Sequence, residues 1–157
     1  MKPSSPKLND IRPISVTEAR QLRHAVLRPH QKPEELVFRG DETPDVLHVG
    51  AFEDGELVGI ASVAREEFPG EPHLNAWRLR GMATLPAARR KGYGAALVRA
   101  LIAHVAARGG DLIWCHGRMS ALPFYRAVGF REHGEEFDVP VTGPHFVLRR
   151  AVIPGER

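Results

Sequence analysis

Apolar positions recur along this chain with two different periods, and the switch between them marks its elements. Ile11 to Val16 reads as a first strand. Ala19, Leu22, Val26 and Leu27 then fall on one helical face that ends near Pro29, with Thr17 as the expected N-cap. Thr17-Glu18-Ala19-Arg20 offers at most half a capping box, because its acid is misplaced. Residues 31–44 hold two prolines, Gly40 and several acids, and read as a surface loop able to act as a lid.

Val46 to Phe52 and Leu57 to Ala64 flank Glu53-Asp54-Gly55-Glu56, and the Asp-Gly pair signals a hairpin. Ala76 to Thr84 alternates as another strand. Gly92 to Arg108 is the clearest helix, with Leu97, Ala100, Leu101 and Val105 as its buried stripe and Gly109-Gly110 as its stop. Asp111 to Cys115 is a short interior strand, Ser120 to Val128 a short helix closed by Gly129, and Phe130 to Val139 and His145 to Val152 the last two strands. The order β-α-β-β-β-α-β-α-β-β implies an α/β fold: a mixed, mostly antiparallel sheet with helices on both faces. We expect a flexible tail at residues 1–10, one domain over 11–152 and a short tail at 153–157.

Composition narrows the class. At 157 residues, with 43% hydrophobic and 26% charged, the chain has the size and balance of one soluble globular domain. Its one cysteine, Cys115, excludes an internal disulfide, and no His/Asp/Glu spacing suggests a metal. Without an apolar leader or membrane-length run, the default expectation is a cytoplasmic protein.

The net charge of +3 looks bland, but its distribution does not. Seven basic residues and no acid lie between Pro72 and Gly110, which leaves fifteen basic against nineteen acidic residues elsewhere. So local an excess suggests one anionic ligand rather than nucleic acid or a membrane.

That basic segment carries the first motif. A strand runs into Pro86, then Arg89-x-x-Gly92-x-Gly94, then directly into a helix. The first N–H groups of a helix lack internal partners and favour an anion, and glycines let phosphate come close. Arg89, Arg90 and Lys91 add charge around the loop. On its own this short pattern is also compatible with a glycine-rich turn beside a solvated basic cluster. The second motif lies downstream, Ala121-x-x-Phe124-Tyr125-x-x-x-Gly129-Phe130.

Together, at this separation and on these elements, the two motifs resemble the GNAT superfamily of acyl-CoA-dependent N-acyltransferases. The likeness in element order covers about Ile11 to Val152 and is strongest from Leu79 to Phe130. Trp114-Cys115-x-x-Arg118 and Gly143-Pro144-His145 are similar to a bacterial subgroup of undefined acceptor. The resemblance implies an N-acetyltransferase with acetyl-CoA as co-substrate and no metal. Residues Arg89 to Ala95 (Arg89, Arg90, Lys91, Gly92, Tyr93, Gly94 and Ala95) would cradle the coenzyme A pyrophosphate. Met82 and Thr84 would pair with the pantetheine arm through backbone groups, and the Met82 N–H would face the thioester carbonyl, where charge develops. Gly81 is positioned to supply a bulge that opens the strand. Tyr125 occupies the position of the family's general acid; the alternative is a core aromatic.

The acceptor side departs from several relatives, in which a base lies on this strand. Here the matching positions are Arg80 and Arg78, and arginine cannot act as a base. Strand alternation would place Arg78, Arg80 and Met82 on one face. Arg80, with Arg78, then reads either as a receptor for an acidic group of the acceptor or as a partner of Glu66, Glu67 or Glu71. Base candidates are His116, His145, Glu66 and Glu67; His145 stands out because a final strand reaches the acceptor side in this fold. Cys115, in an apolar strand, reads as an inert buried thiol. The expected acceptor is a small-molecule amine, with no nucleic acid or membrane partner and a homodimer left open. Two other readings stay open, an acyl-CoA-binding sensor with little turnover and a nucleic-acid-binding module.

Overall fold

The computed structural model describes residues 10–27, 29–32, 36, 38 and 40–156. The expected tail at 1–9 and part of the expected loop over 31–44 lie outside them. The described elements are β1 (Ile11–Pro13), α1 (Val16–Leu22), β2 (Leu47–Glu53), β3 (Glu56–Arg65), β4 (Ala76–Thr84), α2 (Tyr93–Ala107), β5 (Leu112–Arg118), α3 (Leu122–Ala127), β6 (Arg131–Val139) and β7 (Gly143–Ala151). They form one seven-stranded sheet in the order β1-β2-β3-β4-β5-β7-β6. Every neighbouring pair is antiparallel except β4 and β5. The mixed α/β architecture and element order expected from the sequence are therefore observed.

Local chemistry explains the boundaries. β2 and β3 turn on Asp54 and Gly55, both at positive φ (52° and 81°), the requirement of the tight hairpin turn that matches strand twist. β1 stops at Pro13, shorter than expected, because the next helix starts early. Its N-cap is Ser15, not Thr17. The Ser15 hydroxyl accepts from the Glu18 N–H at 3.1 Å, while the Ser15 N–H donates to Glu18 Oε1 at 3.1 Å. Counted from Ser15, the acid is in place and the capping box is complete. A π-helical segment, Arg23–Leu27, continues α1. At the C-terminal end, Ile153 to Glu156 close a turn, with Glu156 paired to Arg150.

The main core lies on one face of the sheet, under α2 and α3, where Leu97, Leu101, Trp77, Ile113, Phe130 and Leu148 are fully buried. Truncating one of these leucines costs about 2–5 kcal/mol. The opposite face carries two smaller clusters. α1 covers Ile60 and Ala83, and Phe68 covers Trp114 and Ala76.

One irregularity resets the pattern of β4. Ser62 pairs with Arg80 but Ile60 pairs with Ala83, so β4 holds one residue more than β3 there. The extra residue flips the alternation. Arg78 and Arg80 share one face, whereas Met82 packs into the main core on the other. The expectation that all three share a face is thus overturned by the bulge.

Candidate active site

β4 and β5 pair only where Ala76–Arg78 lie beside Leu112–Trp114, and then they diverge. The bulge helps to open them, with Gly81 at φ +64°. A Cβ at Gly81 would lie 2.9 Å from Arg23 Nε and 3.3 Å from the Phe38 ring, so both conformation and space demand glycine. Between the diverging strands lies a cleft of about 880 Å³. Of the site residues expected from the sequence, the structure brings to it Arg78, Arg80, Met82, Thr84, Arg89, Arg90, Gly92, Tyr93, Gly94, Ala95, His116, Tyr125 and His145, whereas Lys91 and the base candidates Glu66 and Glu67 do not line it.

One end of the cleft is built from backbone. Gly92 caps α2 at φ +89°, and Ala96 is the first residue whose N–H returns to the Gly92 carbonyl. The N–H groups of Tyr93, Gly94 and Ala95 precede that first intrahelical bond. Arg89 and Arg90 are exposed at the rim, and Arg89 Nε donates to the Thr84 carbonyl at 3.2 Å. Gly94 has a packing reason as well as an electrostatic one, since a Cβ there would meet the Phe124 ring at 2.9 Å. Lys91 turns away from the cleft. Its Nζ donates to both Glu53 carboxylate oxygens at 3.1 and 3.2 Å, and the Tyr93 hydroxyl donates to Glu53 at 2.8 Å. Burial, then Glu53, pushes the Tyr93 phenol up to about 12. These hydrogen bonds from Tyr93 and Lys91 hold the Glu53 carboxyl below its ordinary value. Tyr93 therefore offers the cleft its N–H, while its side chain ties α2 to the end of β2.

The wall beside α3 holds Tyr125. It is 6% exposed, packs edge-on against Phe124 and Phe130, and also lines the cleft. It is thus a packed core aromatic that also borders the cleft. Burial first, then the neighbouring Cys115, raises its pKa well above the ordinary tyrosine value. Cys115 is buried, and burial pushes its thiol up to about 12, so it is unreactive at neutral pH.

The other end of the cleft is built from side chains on the α1 face of the sheet. Arg78 Nη1 donates to Glu66 at 3.0 Å, and the Arg80 guanidinium lies 3.8 Å from the same carboxylate. The pairing with Glu66 is thus present alongside exposure to the cleft. Arg78 also reaches His116 Nδ1 at 3.2 Å and lies over the Trp114 ring. Burial, then Arg78 and Arg80, lowers the His116 pKa to about 4, so this imidazole is neutral at physiological pH. His145 is 7% exposed, and its Nδ1 is 2.9 Å from the Gly143 carbonyl. A carbonyl only accepts, so Nδ1 carries a proton, which in a neutral ring leaves the lone pair on Nε2.

Sequence reasoning missed the support behind this end. Arg23, fully buried, donates to both Asp41 carboxylate oxygens at 2.8 and 3.0 Å, to the Leu36 carbonyl and to Ser62 Oγ. Ser62 in turn contacts His48 Nδ1 at 2.6 Å, and His48 Nε2 donates to the Asp41 carbonyl at 3.0 Å. Burial opposes ionisation of Asp41, but the Arg23 and Phe38 N–H hydrogen bonds outweigh it and hold the carboxyl below its ordinary value. Arg23 lies 4.0 Å from the Phe38 ring centroid, so the network seats the one described loop residue besides the π-helical segment that lines this side. Its partners are 13 to 39 residues away in sequence, and no local pattern announces them.

The parallel pair of the sheet thus opens onto a helix start, with a buried phenol on the flank. Comparison with known proteins shows the family. The acetyltransferase (GNAT) family matches residues 13–130, and the chain belongs to that family. It is 35% identical over 143 residues to the uncharacterized N-acetyltransferase YitI of Bacillus subtilis (strain 168), covering 91% of this chain and 96% of that protein. Among solved structures, Escherichia coli ElaA superposes with a TM-score of 0.71 at 20% identity, over 89% of this chain and 97% of that one. An aminoglycoside 6′-N-acetyltransferase complexed with coenzyme A gives 0.67 at 18% identity, over 92% and 97%. The chain is an acyl-CoA-dependent N-acetyltransferase, with acetyl-CoA as co-substrate. Its cleft fits that donor, since amides and exposed arginines border one end while no carboxylate lines it among the described residues. No described helix is long and apolar enough to cross a membrane.

Proposed function

We propose that this protein moves the acetyl group of acetyl-CoA to a primary amine of a small molecule, by direct attack in a ternary complex. The observation that carries this reading is the shared cleft, where α2 amides, Met82, Tyr125 and His145 border one continuous space. The Tyr93, Gly94 and Ala95 N–H groups, with Arg89 and Arg90, bind the pyrophosphate. Beyond Arg78, the β4 edge facing β5 is unpaired, and Met82 and Thr84 offer backbone groups to the pantetheine arm.

His145 Nε2 takes the ammonium proton, freeing the nitrogen lone pair. The amine nitrogen bonds to the carbonyl carbon, and the Met82 N–H stabilises the negative charge that grows on its oxygen. The carbon–sulfur bond then breaks as the Tyr125 hydroxyl gives its proton to the departing sulfur, and the phenolate left behind takes the proton that the positively charged nitrogen must lose to become the amide. The raised Tyr125 pKa keeps the hydroxyl proton in place across the working pH range.

Thiol release from acetyl-CoA, measured across amino acids, polyamines, aminosugars and peptides, tests the reading. Steady release that depends on an amine, with the acetylated amine seen by mass spectrometry, is expected. Acetyl-CoA binding with no turnover for any amine would instead leave a sensor.

A further inference from the structure

We infer that the acceptor amine also carries a carboxylate, and that Arg118 is the residue that reads it. This rests on the transfer reaction proposed above and specifies its substrate.

The cleft lining has a one-sided charge. Five arginines line it, two of them at the α2 end, and among the described residues the lining includes no Asp or Glu. Glu66 sits against Arg78 and Arg80 and is not itself part of the wall. A polycationic amine entering here would meet guanidinium groups and, among the described lining residues, no carboxylate to receive its ammonium groups.

Arg118 is distinctive within that set. It ends β5 directly opposite His145 in the β5–β7 register, and both line the cleft. Among the described residues its guanidinium makes no ion pair and no side-chain hydrogen bond. Its positive charge also acts on Tyr125, placing it near the reacting centre and not only at the rim. A guanidinium forks onto a carboxylate through two parallel N–H donors, which fixes orientation as well as adding affinity. Arg118 holding the carboxylate would leave the amine of the same molecule free to approach His145.

The test compares kcat/KM for amino acids, including ones with amine and carboxylate separated by several methylenes, against their carboxamides and against polyamines and aminoglycosides. Rates are expressed per neutral amine. Wild type, Arg118→Lys and Arg118→Ala are measured, with acetyl-CoA affinity by calorimetry for each. Wild type is expected to favour the carboxylate form about ten- to a hundredfold over its amide. Arg118→Ala should remove most of that preference while leaving acetyl-CoA affinity within about twofold, and Arg118→Lys should keep part of it. Equal or better turnover of amides or polycations overturns the inference alone. So does a loss of acetyl-CoA affinity in Arg118→Ala with the carboxylate preference intact, which would move Arg118 to the donor end. No acetyl-CoA binding and no turnover with any amine would overturn the transfer reading as well.

Discussion

The two ends of the cleft are built from different materials. At the α2 end the lining groups are backbone amides, delivered by a glycine-capped helix start with arginines at the rim. At the α1 end they are side chains, namely Arg78, Arg80, Arg118, His116 and His145, held on three strands and backed by a buried ionic network. The difference teaches where variety can enter. An end made of backbone suits a donor common to many enzymes, whereas an end made of side chains can be rewritten for a new acceptor without touching the donor site.

If the acceptor end depends on buried charge, the largest effect should come from breaking it. Arg23→Ala leaves Asp41 buried without its partner and is expected to cost about 3–5 kcal/mol of stability, read as a fall in denaturation midpoint. The same network sets an acid limit. Asp41 has a lowered folded-state pKa, so its contribution is present above the ordinary value of 3.8 and is lost as pH falls through the lowered one. Stability in wild type should drop across that window, and Asp41→Asn should flatten this part of the curve.

Next in size is chemistry at the junction of the two ends. Tyr125→Phe should lower kcat about a hundredfold with acetyl-CoA affinity preserved, and the remaining activity should show no new alkaline limb. An unchanged kcat would reduce Tyr125 to its packing role. The smallest effects separate rim from cleft at the α2 end. Arg90→Ala should weaken acetyl-CoA binding about fivefold, more so at low salt, while Lys91→Ala should change it less than about twofold. If Lys91→Ala matches Arg90→Ala in calorimetry, the Glu53 pairing does not hold Lys91 away from the donor.

Much of the donor end was legible in the sequence because it depends on local order. Arg89-x-x-Gly92-x-Gly94 lies within one turn of the helix it caps, and Asp54-Gly55 sets its hairpin unaided. The acceptor end was legible only in part. Alternation placed Arg78 and Arg80 together correctly, then failed at Met82, since a single added residue inverts a strand's faces. Arg23 gave no signal, because a charged residue next to a helical stripe reads as solvated until its distant partners are known. Arg118 stood in a noted motif, but that it has no partner among the described residues is a property of three dimensions.

The central claim is that donor and amine meet together in this cleft and that the acetyl group passes directly between them. Initial rates of coenzyme A release, measured while both substrates are varied, test it most directly. Direct transfer predicts reciprocal plots whose lines intersect, and no acetylated protein after incubation with acetyl-CoA alone. Parallel lines, with an acetyl group found on the enzyme, would contradict the account.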